Sequence, residues 1–450
     1  MTGLALALSA FALMLVAIFL RVPVALAMGL TGFFGSWYVL GTAAAPLAQM
    51  KTLAYETFSN QGLSIIPLFL LMGQFATRTG MSGALFKAAS DWLGHRKGGI
   101  AMASVGACAG FGAICGSSLA TASTMGQVAL PEMRKRGYSD SLSTGVLAAG
   151  GTLGILIPPS IILVIYAIMA EQNIVKMFMA ALIPGLLAAL GYILTVAVYV
   201  RLRPDAADTA ERVPMRARMK TLAATWPVIA IFGLTMGGIV GDWNWARPGP
   251  QALFTPNEAA AFGAFATGLY GVLTRRLTWR GFVDAILETA KATGMIFFIL
   301  LGAEVLKGFL AVTRAPDILA DWVATQGFAP LAVLVTLLLA YLLFGCVMDS
   351  LSMILLTIPI FLPVIEVLDF GLSAEDTAIW FGVLALIVVE VGLITPPVGM
   401  NLFIINGVAR DIPIARTYAG VAPFVLSDLI RVAILVAAPS ITLWLVHAAF

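Results

Sequence analysis

Gly154-Ile-Leu-Ile-Pro158-Pro159-Ser160 and Gly392-Leu-Ile-Thr395-Pro396-Pro397-Val398 are two nearly identical stretches that lie 238 residues apart. Each stands inside a long apolar segment that would otherwise form a continuous helix. Proline breaks or kinks a helix because its ring clashes with the preceding turn and it has no N–H to donate. The two stretches therefore predict two matched broken helices in a duplicated chain.

Each proline pair also removes the helical donors of two backbone carbonyl groups. The affected carbonyls are those of Gly154 and Ile155 in the first stretch, and of Gly392 and Leu393 in the second. Within hydrocarbon, unwound backbone is tolerated only where it is buried in protein or lines a cavity. Two matched breaks are typical of transporters with inverted repeats, whose ion and solute sites lie at the broken helices.

Hydrophobic residues make up 60% of the 450 residues and charged residues only 11%, with a mean hydropathy of +0.98. This composition predicts an all-α polytopic membrane protein, since recurring apolar runs are long enough to cross a hydrocarbon core about 30 Å thick. We count about eleven spans plus two hairpins, and interpret residues 4–20 as a permanent span rather than a cleaved signal.

Reactive side chains are few and scattered. Cys108, Cys115 and Cys346 have no CxxC spacing, which argues against a disulfide framework or a metal site. His95 and His447 stand far from the Ser-rich segments, and neither HExxH nor a glycine-rich phosphate-binding motif occurs. The sequence thus indicates no cofactor, no ATP-driven pump and no nucleic-acid partner.

The basic residues predict the orientation. If the first span ends in the cytoplasm at Arg21, 19 of the 26 Lys and Arg residues fall on the cytoplasmic side and four on the opposite side. This asymmetry obeys the positive-inside rule. Six of the cytoplasmic Lys and Arg residues lie within residues 201–220. We interpret this segment as a solvated linker between two halves of the chain. The alternative is that its basic residues bind anionic lipid headgroups.

A re-entrant hairpin is predicted in each half. Phe111-Gly112 starts an apolar stretch that ends at Pro131, and Phe344-Gly345 starts another that ends at Pro363, with offsets of 233 and 232 residues. The assumed topology places the first hairpin on the cytoplasmic side and the second on the periplasmic side. Equivalent elements that face opposite ways are expected of an inverted-topology repeat.

The hairpin tips carry polar residues that are rare elsewhere in the apolar segments. Hydroxyl and carbonyl oxygens are hard ligands that suit an alkali cation, although small hydroxyl residues also mediate ordinary helix packing in bilayers. The first tip contains Ser117, Ser118 and Thr121, and the second contains Asp349, Ser350 and Ser352.

Ionisable residues within apolar segments are functional candidates by default. Glu390, six residues before Pro396, and Glu304 could each be a coupling carboxylate or a structurally paired group. Asp428 and Arg431 stand three residues apart on one helical face, a spacing that favours a neutralised ion pair.

Together these features resemble the large membrane (permease) subunit of TRAP transporters, the tripartite ATP-independent periplasmic systems. Three further motifs carry the resemblance, which covers essentially the whole chain: Pro131-Glu-Met133 with Arg136-Gly-Tyr138, Phe254-Thr-Pro-Asn-Glu258-Ala-Ala260, and Thr395-Pro-Pro-Val-Gly399 followed by Asn401-Leu402. The chain departs from the family pattern in an extra stretch, residues 242–251, which lengthens a periplasmic loop.

The resemblance implies an elevator-type fold and sodium-coupled import of a small organic anion, commonly a carboxylate. One implied sodium site combines Ser117 and Ser118 with Gly154, Ile157 and Pro158. A second combines Asp349, Ser350 and Ser352 with Gly392, Thr395 and Pro397. The solute would lie between the tips, and the residues implied to contact it are Ser117, Ser118, Thr121, Asp349, Ser352 and Asn401.

The resemblance also implies two protein partners, a small membrane subunit and a soluble periplasmic solute-binding protein, in the bacterial inner membrane among its lipids. The predicted domains are scaffold spans at 1–97, a first transport segment at 98–175, further scaffold at 176–327 with the linker, a second transport segment at 328–409, and a C-terminal span at 410–450. A stand-alone sodium/carboxylate symporter is the closest alternative, and an intramembrane enzyme is a remote one.

Overall fold

The computed structural model describes residues 3–241 and 252–450, and all regular elements within them are helical. The extra stretch 242–251 lies outside these residues. In the N-terminal half the α-helices are α1 (Gly3–Phe19), α2 (Val24–Leu40), α3 (Ala44–Ser59), α4 (Ile65–Arg78), α5 (Met81–Leu93), α6 (Gly99–Cys115), α7 (Ser118–Lys135), α8 (Asp140–Leu156), α9 (Ile161–Met169), α10 (Ile174–Leu202), α11 (Met215–Ala223) and α12 (Trp226–Val240).

The C-terminal half contains nine α-helices within its described residues. They are α13 (Pro256–Leu273), α14 (Trp279–Thr313), α15 (Ala315–Thr325), α16 (Pro330–Gly345), α17 (Ser350–Glu366), α18 (Ala374–Gly392), α19 (Met400–Val408), α20 (Ile414–Ala437) and α21 (Ser440–Ala449).

Several of the described helices are long and apolar enough to cross a membrane. By length and apolarity, α10, α14 and α20 qualify as single spans, and counting two bent helix pairs raises the number to five. Six further apolar helices have 10–17 residues, so the count of about eleven spans stays a prediction. The predicted first span corresponds to α1, one of these shorter apolar helices.

Both predicted broken helices are present. α8 and α9 are separated by residues 157–160 and bent by 46°, and we call this interruption the first break. α18 and α19 are separated by residues 393–399, the second break. The Pro158–Pro159 and Pro396–Pro397 peptide bonds are both cis.

A helical hairpin is present at each predicted position, although each is longer than expected, and their re-entrant placement on opposite membrane faces stays a prediction. α6 and α7 form hairpin 1, and α16 and α17 form hairpin 2. Pro131 and Pro363 were expected to end the hairpins, but both lie inside a helix that continues to Lys135 or Glu366. A proline within a helix bends the chain without stopping it where the freed carbonyl finds another partner.

The linker is largely exposed, as expected of a solvated segment, but it is attached to the rest of the protein at a few points. The Ala210 amide donates to the Gly94 carbonyl (2.9 Å), and the Ala206 carbonyl accepts from the Ser139 amide (2.9 Å). Arg218, at the start of α11, is only 6% exposed. The linker thus fastens the α5–α6 loop and the start of α8 together.

Glycine contacts hold the helices around the hairpins close together. A Cβ on Gly112 of hairpin 1 would lie 2.5 Å from Gly154 Cα, and a Cβ on Gly345 of hairpin 2 would lie 3.1 Å from Gly392 Cα. Each hairpin therefore packs backbone to backbone against the helix that precedes a break. Elsewhere in the fold, α2 packs closely against α14, where a Cβ on Gly32 would lie 2.6 Å from the Val305 backbone.

Candidate functional site

The tip of hairpin 1 lies directly against the first break. Gly116 separates α6 from α7 in the left-handed conformation (φ +63°), which reverses the chain direction, and a Cβ there would approach the Pro159 carbonyl oxygen to 3.3 Å. Ser117 is the N-cap of α7, and its hydroxyl accepts from the Ala120 amide (3.4 Å). The side chain of Ser117 thus orients the tip.

Two buried hydroxyl groups stand just behind this tip. Ser118 and Thr121 are 1% and 0% exposed, and neither hydroxyl meets a hydrogen-bond partner with good geometry. A Cβ on Gly154 would collide with Thr121 Oγ1 and lie 2.8 Å from the Ser117 carbonyl oxygen. The fold therefore brings Ser117, Ser118, Thr121 and Gly154 together, as the sequence predicts.

The first break leaves two backbone carbonyls without helical donors. Ile157 continues the helical pattern, since its amide donates to the Leu153 carbonyl (3.1 Å), but Pro158 and Pro159 cannot donate. Among the described residues, no group donates a hydrogen bond to the Gly154 or Ile155 carbonyl, as predicted. Residues 151–160 are all buried, so these oxygens are also shielded from water.

The tip of hairpin 2 uses its carboxylate as a helix cap. Asp349, the N-cap of α17, accepts from the Ser352 amide (3.0 Å) and from the Ser352 hydroxyl (2.6 Å). Asp349 is half-buried and Ser352 is buried. The two residues thus form one polar unit at the place that corresponds to Ser117 in hairpin 1.

The second break differs from the prediction in one respect. The Gly392 carbonyl accepts from the Thr395 amide (3.0 Å), and the Leu393 carbonyl accepts from the Asn401 amide (3.1 Å). The expectation that both carbonyls are free is therefore wrong, because the break folds back and supplies its own donors. A carbonyl oxygen has two lone pairs, so each can still accept a second contact.

Other groups of the second break are also engaged. The Thr395 hydroxyl donates to the Val391 carbonyl (2.6 Å) in the last turn of α18. The Pro397 carbonyl accepts from the Tyr418 hydroxyl (2.8 Å). The Gly399 amide donates to the Cys346 carbonyl (3.1 Å), which ties this break to the tip of hairpin 2.

Glu390 joins the two tips. Its carboxyl accepts from the Ser350 hydroxyl of hairpin 2 (2.6 Å), and it lies beside the Ser118 hydroxyl of hairpin 1 without the geometry of a hydrogen bond. The residue is 1% exposed, and its Oε2 atom has no hydrogen-bond partner. The sequence marks Glu390 only as one of two candidate carboxylates, since its place between the hairpins depends on tertiary structure.

Asn401 connects the second break to the first half of the chain. Its side-chain amide donates to the Ala148 carbonyl on α8 (3.4 Å), and its Oδ1 atom is buried without a partner. Asn401 is 0% exposed, so this oxygen is another unfilled acceptor within the cluster.

Asp428 and Arg431 on α20 form the predicted ion pair (2.9 Å). The Tyr192 hydroxyl on α10 donates to Asp428 (2.7 Å) and lies 3.0 Å from the Thr152 hydroxyl on α8. The pair thus links α10 and α20 to the helix that precedes the first break.

A charged corner outside the spans joins hairpin 1 to the loop after α19. Arg134 donates to Asp411 (2.8 Å), and this hydrogen bond lowers the pKa of the Asp411 carboxyl. Arg416 donates to Asp140 (3.0 Å) at the start of α8. These contacts fasten the base of hairpin 1 to the second half of the chain.

Comparison with known proteins bears on this arrangement. The profile of the family described as "Tripartite ATP-independent periplasmic transporter, DctM component" matches residues 11–441. The chain is 32% identical to the C4-dicarboxylate TRAP transporter large permease protein DctM of Pseudomonas aeruginosa, over 92% of each protein. It is 30% identical to the isethionate TRAP transporter permease protein DctMQ of Oleidesulfovibrio alaskensis, over 88% of this chain and 59% of that longer protein.

A solved structure supports the fold. The YdaH transporter of Alcanivorax borkumensis superposes with a TM-score of 0.63, over 86% of this chain and 87% of that one. The sequence identity is 15%, so the likeness concerns the arrangement of helices alone.

Proposed function

Because the chain belongs to the DctM family of tripartite ATP-independent periplasmic transporters, we propose that it drives sodium-coupled import of a small organic anion by an elevator movement. It is a multi-pass membrane permease subunit of a secondary transporter and not an enzyme. Beyond this family-level function, we propose the coupling ion, the site residues, the elevator movement and a location in the bacterial inner membrane.

One observation carries the proposal: each hairpin tip touches a broken helix, and the junction contains buried oxygen atoms without donors. Ser118, Thr121, Glu390 and Asn401 each contribute such an oxygen. An unsatisfied buried polar atom costs roughly 1–3 kcal/mol, so a ligand that coordinates several of them gains binding free energy. Hard oxygen donors favour an alkali cation over a transition metal.

We assign one sodium site to each tip. The first uses Ser117 and Ser118 with the backbone of Gly154, Ile157 and Pro158. The second uses Asp349, Ser350 and Ser352 with Gly392, Thr395 and Pro397. Glu390 lies between them, and its unpartnered Oε2 atom could accept a contact from either site.

The solute is assigned to the space between the tips. The residues proposed to contact it are Ser117, Ser118, Thr121, Asp349, Ser352 and Asn401. No Lys or Arg stands at either tip, so the N-termini of α7 and α17 and the bound cations would supply the positive potential for a carboxylate. The P. aeruginosa relative is named for C4-dicarboxylates and the O. alaskensis relative for isethionate, and both names fit an acidic solute.

The moving body would include the hairpins and broken helices of segments 98–175 and 328–409. The Asn401–Ala148 contact and a hydrogen bond from the Tyr166 hydroxyl to the Ala378 carbonyl (2.6 Å) support this, because they join the two segments. We include α10 and α20 in the moving body, because Tyr192 on α10 contacts both Asp428 on α20 and Thr152 on α8. The other helices would form the scaffold.

Sodium coupling follows from the same unpaired oxygens. Without ions, the moving body would carry uncompensated polar atoms through the hydrocarbon, which is costly. Sodium and solute together would satisfy these atoms and permit the movement. Sodium alone would leave the solute contacts unfilled, which would restrain the movement and prevent a leak.

Two partners complete the proposed system. We propose a small membrane subunit and a soluble binding protein that delivers the solute, because the matching family is described as one component of a tripartite periplasmic transporter. The solute identity would then be selected by the binding protein.

The test is uptake of a C4-dicarboxylate into proteoliposomes that contain the chain and its small subunit, with the cognate binding protein outside. We expect uptake only with an inward sodium gradient and the binding protein together. Uptake that ignores the binding protein would support a stand-alone symporter instead. Uptake driven only by a proton gradient would overturn sodium coupling.

A further inference from the structure

A basic pocket with an apolar wall lies at the C-terminal end of α10, away from the hairpin tips. The cavity has a volume of about 530 Å³. Its polar rim is formed by Arg96 and Lys97 of the α5–α6 loop and by Arg201 of α10. The apolar lining consists of Met102, Leu190, Ile193, Leu194, Ala197 and Val200, with Pro204 beside the rim.

The three cations of the rim are unbalanced. Arg96, Lys97 and Arg201 are all exposed, and none forms an ion pair within the described part of the chain. By contrast, Lys176 at the other end of α10 is paired with Glu375 (2.6 Å). Three unpaired positive charges around one cavity attract an anion.

The backbone holds this rim in place. Gly98 has a left-handed φ of +74°, and a Cβ there would lie 2.8 Å from Val200 Cγ2. The Gly99 amide donates to the Arg96 carbonyl (2.8 Å), which closes the turn before α6. Arg96 and Lys97 therefore stand over α10 because the loop packs directly on it.

The apolar wall extends from the rim along α10. Leu190 and Leu194, one turn apart, are 61% and 64% exposed. Both belong to a helix that is long and apolar enough to cross a membrane. An acyl chain could lie along this wall while its headgroup meets the cations, whereas a free anion would leave the wall uncovered.

We propose that this pocket binds an anionic phospholipid, with the phosphate at Arg96, Lys97 and Arg201 and an acyl chain against Leu190 and Leu194. The site is independent of the proposed sodium and solute sites. The bound lipid would hold the α5–α6 loop on α10.

The proposal can be tested by native mass spectrometry of the full chain in detergent with added phosphatidylglycerol or phosphatidylethanolamine. The test variant is Arg96→Gln/Lys97→Gln/Arg201→Gln. A matched control is Arg212→Gln/Arg216→Gln/Lys220→Gln, which removes the same charge from exposed linker residues outside the pocket. A symmetrical elution peak in size-exclusion chromatography would verify folding, and Lys97→Gln alone serves if the triple variant aggregates.

We expect phosphatidylglycerol to bind the native protein at least tenfold more tightly than phosphatidylethanolamine. The pocket variant should lose about 100-fold in affinity, since each basic residue near a membrane surface changes affinity about fivefold, and the control should lose far less. Equal losses in the two triple variants would overturn the proposal in favour of general surface charge. Equal binding of the two lipids would also overturn it.

The acyl-chain contact requires a second comparison. Leu194→Gln should weaken phosphatidylglycerol binding several-fold, whereas Leu186→Gln, an exposed residue of the same helix outside the pocket, should not. Displacement of the lipid by millimolar inorganic phosphate or glycerol 3-phosphate would contradict a lipid site and indicate a site for free phosphate.

Discussion

The first and second breaks share a sequence motif but differ in their surroundings. Residues 157–160 are all buried, and the carbonyls of Gly154 and Ile155 have no donors in the described chain. In the second break, Pro396 and Pro397 are exposed, and the equivalent carbonyls accept hydrogen bonds from the amides of Thr395 in the break and Asn401 in α19. The corresponding backbone is therefore buried and without donors at the first break, and partly exposed and hydrogen-bonded at the second.

This difference bears on the proposed elevator movement. If the chain works as proposed, the unlike environments of the two breaks correspond to one position of the proposed moving body. The close contacts of Gly112 with Gly154 and of Gly345 with Gly392 hold each hairpin against the helix that precedes its break. In the proposed movement, each hairpin and its broken helix would therefore move together.

The largest expected effect comes from separating a tip from its break. Gly112→Ala would push Gly154 away, because the new Cβ would lie 2.5 Å from its Cα, and we expect uptake to fall about 100-fold, as small misplacements at a site can do. Gly345→Ala should reduce uptake less, because its Cβ would lie 3.0 Å from the nearest atom, the Val389 carbonyl oxygen. Gly106→Ala, on the same helix as Gly112 but with open space around it, is the control and should transport normally.

The unequal exposure of the breaks can be measured with single cysteines. Cys108, Cys115 and Cys346 are buried, so they should label slowly. With sodium omitted, Val398→Cys should react with a membrane-impermeant maleimide at least about tenfold faster than Ser160→Cys, because a buried thiol reacts only after local opening. Equal rates would show that the difference between the breaks does not hold in solution.

A serine and a threonine separate an unfilled oxygen from a satisfied one. Ser118→Ala should lower sodium affinity about tenfold, equivalent to about 1.4 kcal/mol, because its buried hydroxyl has no hydrogen-bond partner and is free to coordinate. Thr395→Val should have the smaller effect, since that hydroxyl already donates to Val391. Sodium titration of thermal stability would measure both, and the reverse order would break the comparison.

The smallest effect is expected at Tyr418, which donates to the Pro397 carbonyl at the open break. Tyr418→Phe should reduce the unfolding free energy by about 1 kcal/mol while transport stays near normal. Denaturation in mild detergent would report the change. Loss of transport with unchanged stability would instead place Tyr418 in the working site.

Much of this arrangement could be predicted from local sequence, because proline, glycine and helix-capping polar residues determine the backbone conformation at their own positions. Pro158 and Pro396 predict the breaks, and Ser117 and Asp349 predict the tips. The position of Glu390 between Ser350 and Ser118 could not be predicted, since it depends on how two distant hairpins pack. The Gly392 and Leu393 carbonyls were predicted to be free because a proline rule cannot foresee donors at Thr395 and Asn401.

The most direct test of two equivalent sodium sites is equilibrium binding of ²²Na⁺ to the purified chain and its variants. We predict two saturable ions per native chain, one in either Ser117→Ala/Ser118→Ala or Ser350→Ala/Thr395→Val at the same sodium concentration, and none in the combined variant. A native chain that binds no saturable sodium, or a stoichiometry unchanged by both pairs of substitutions, would contradict the account.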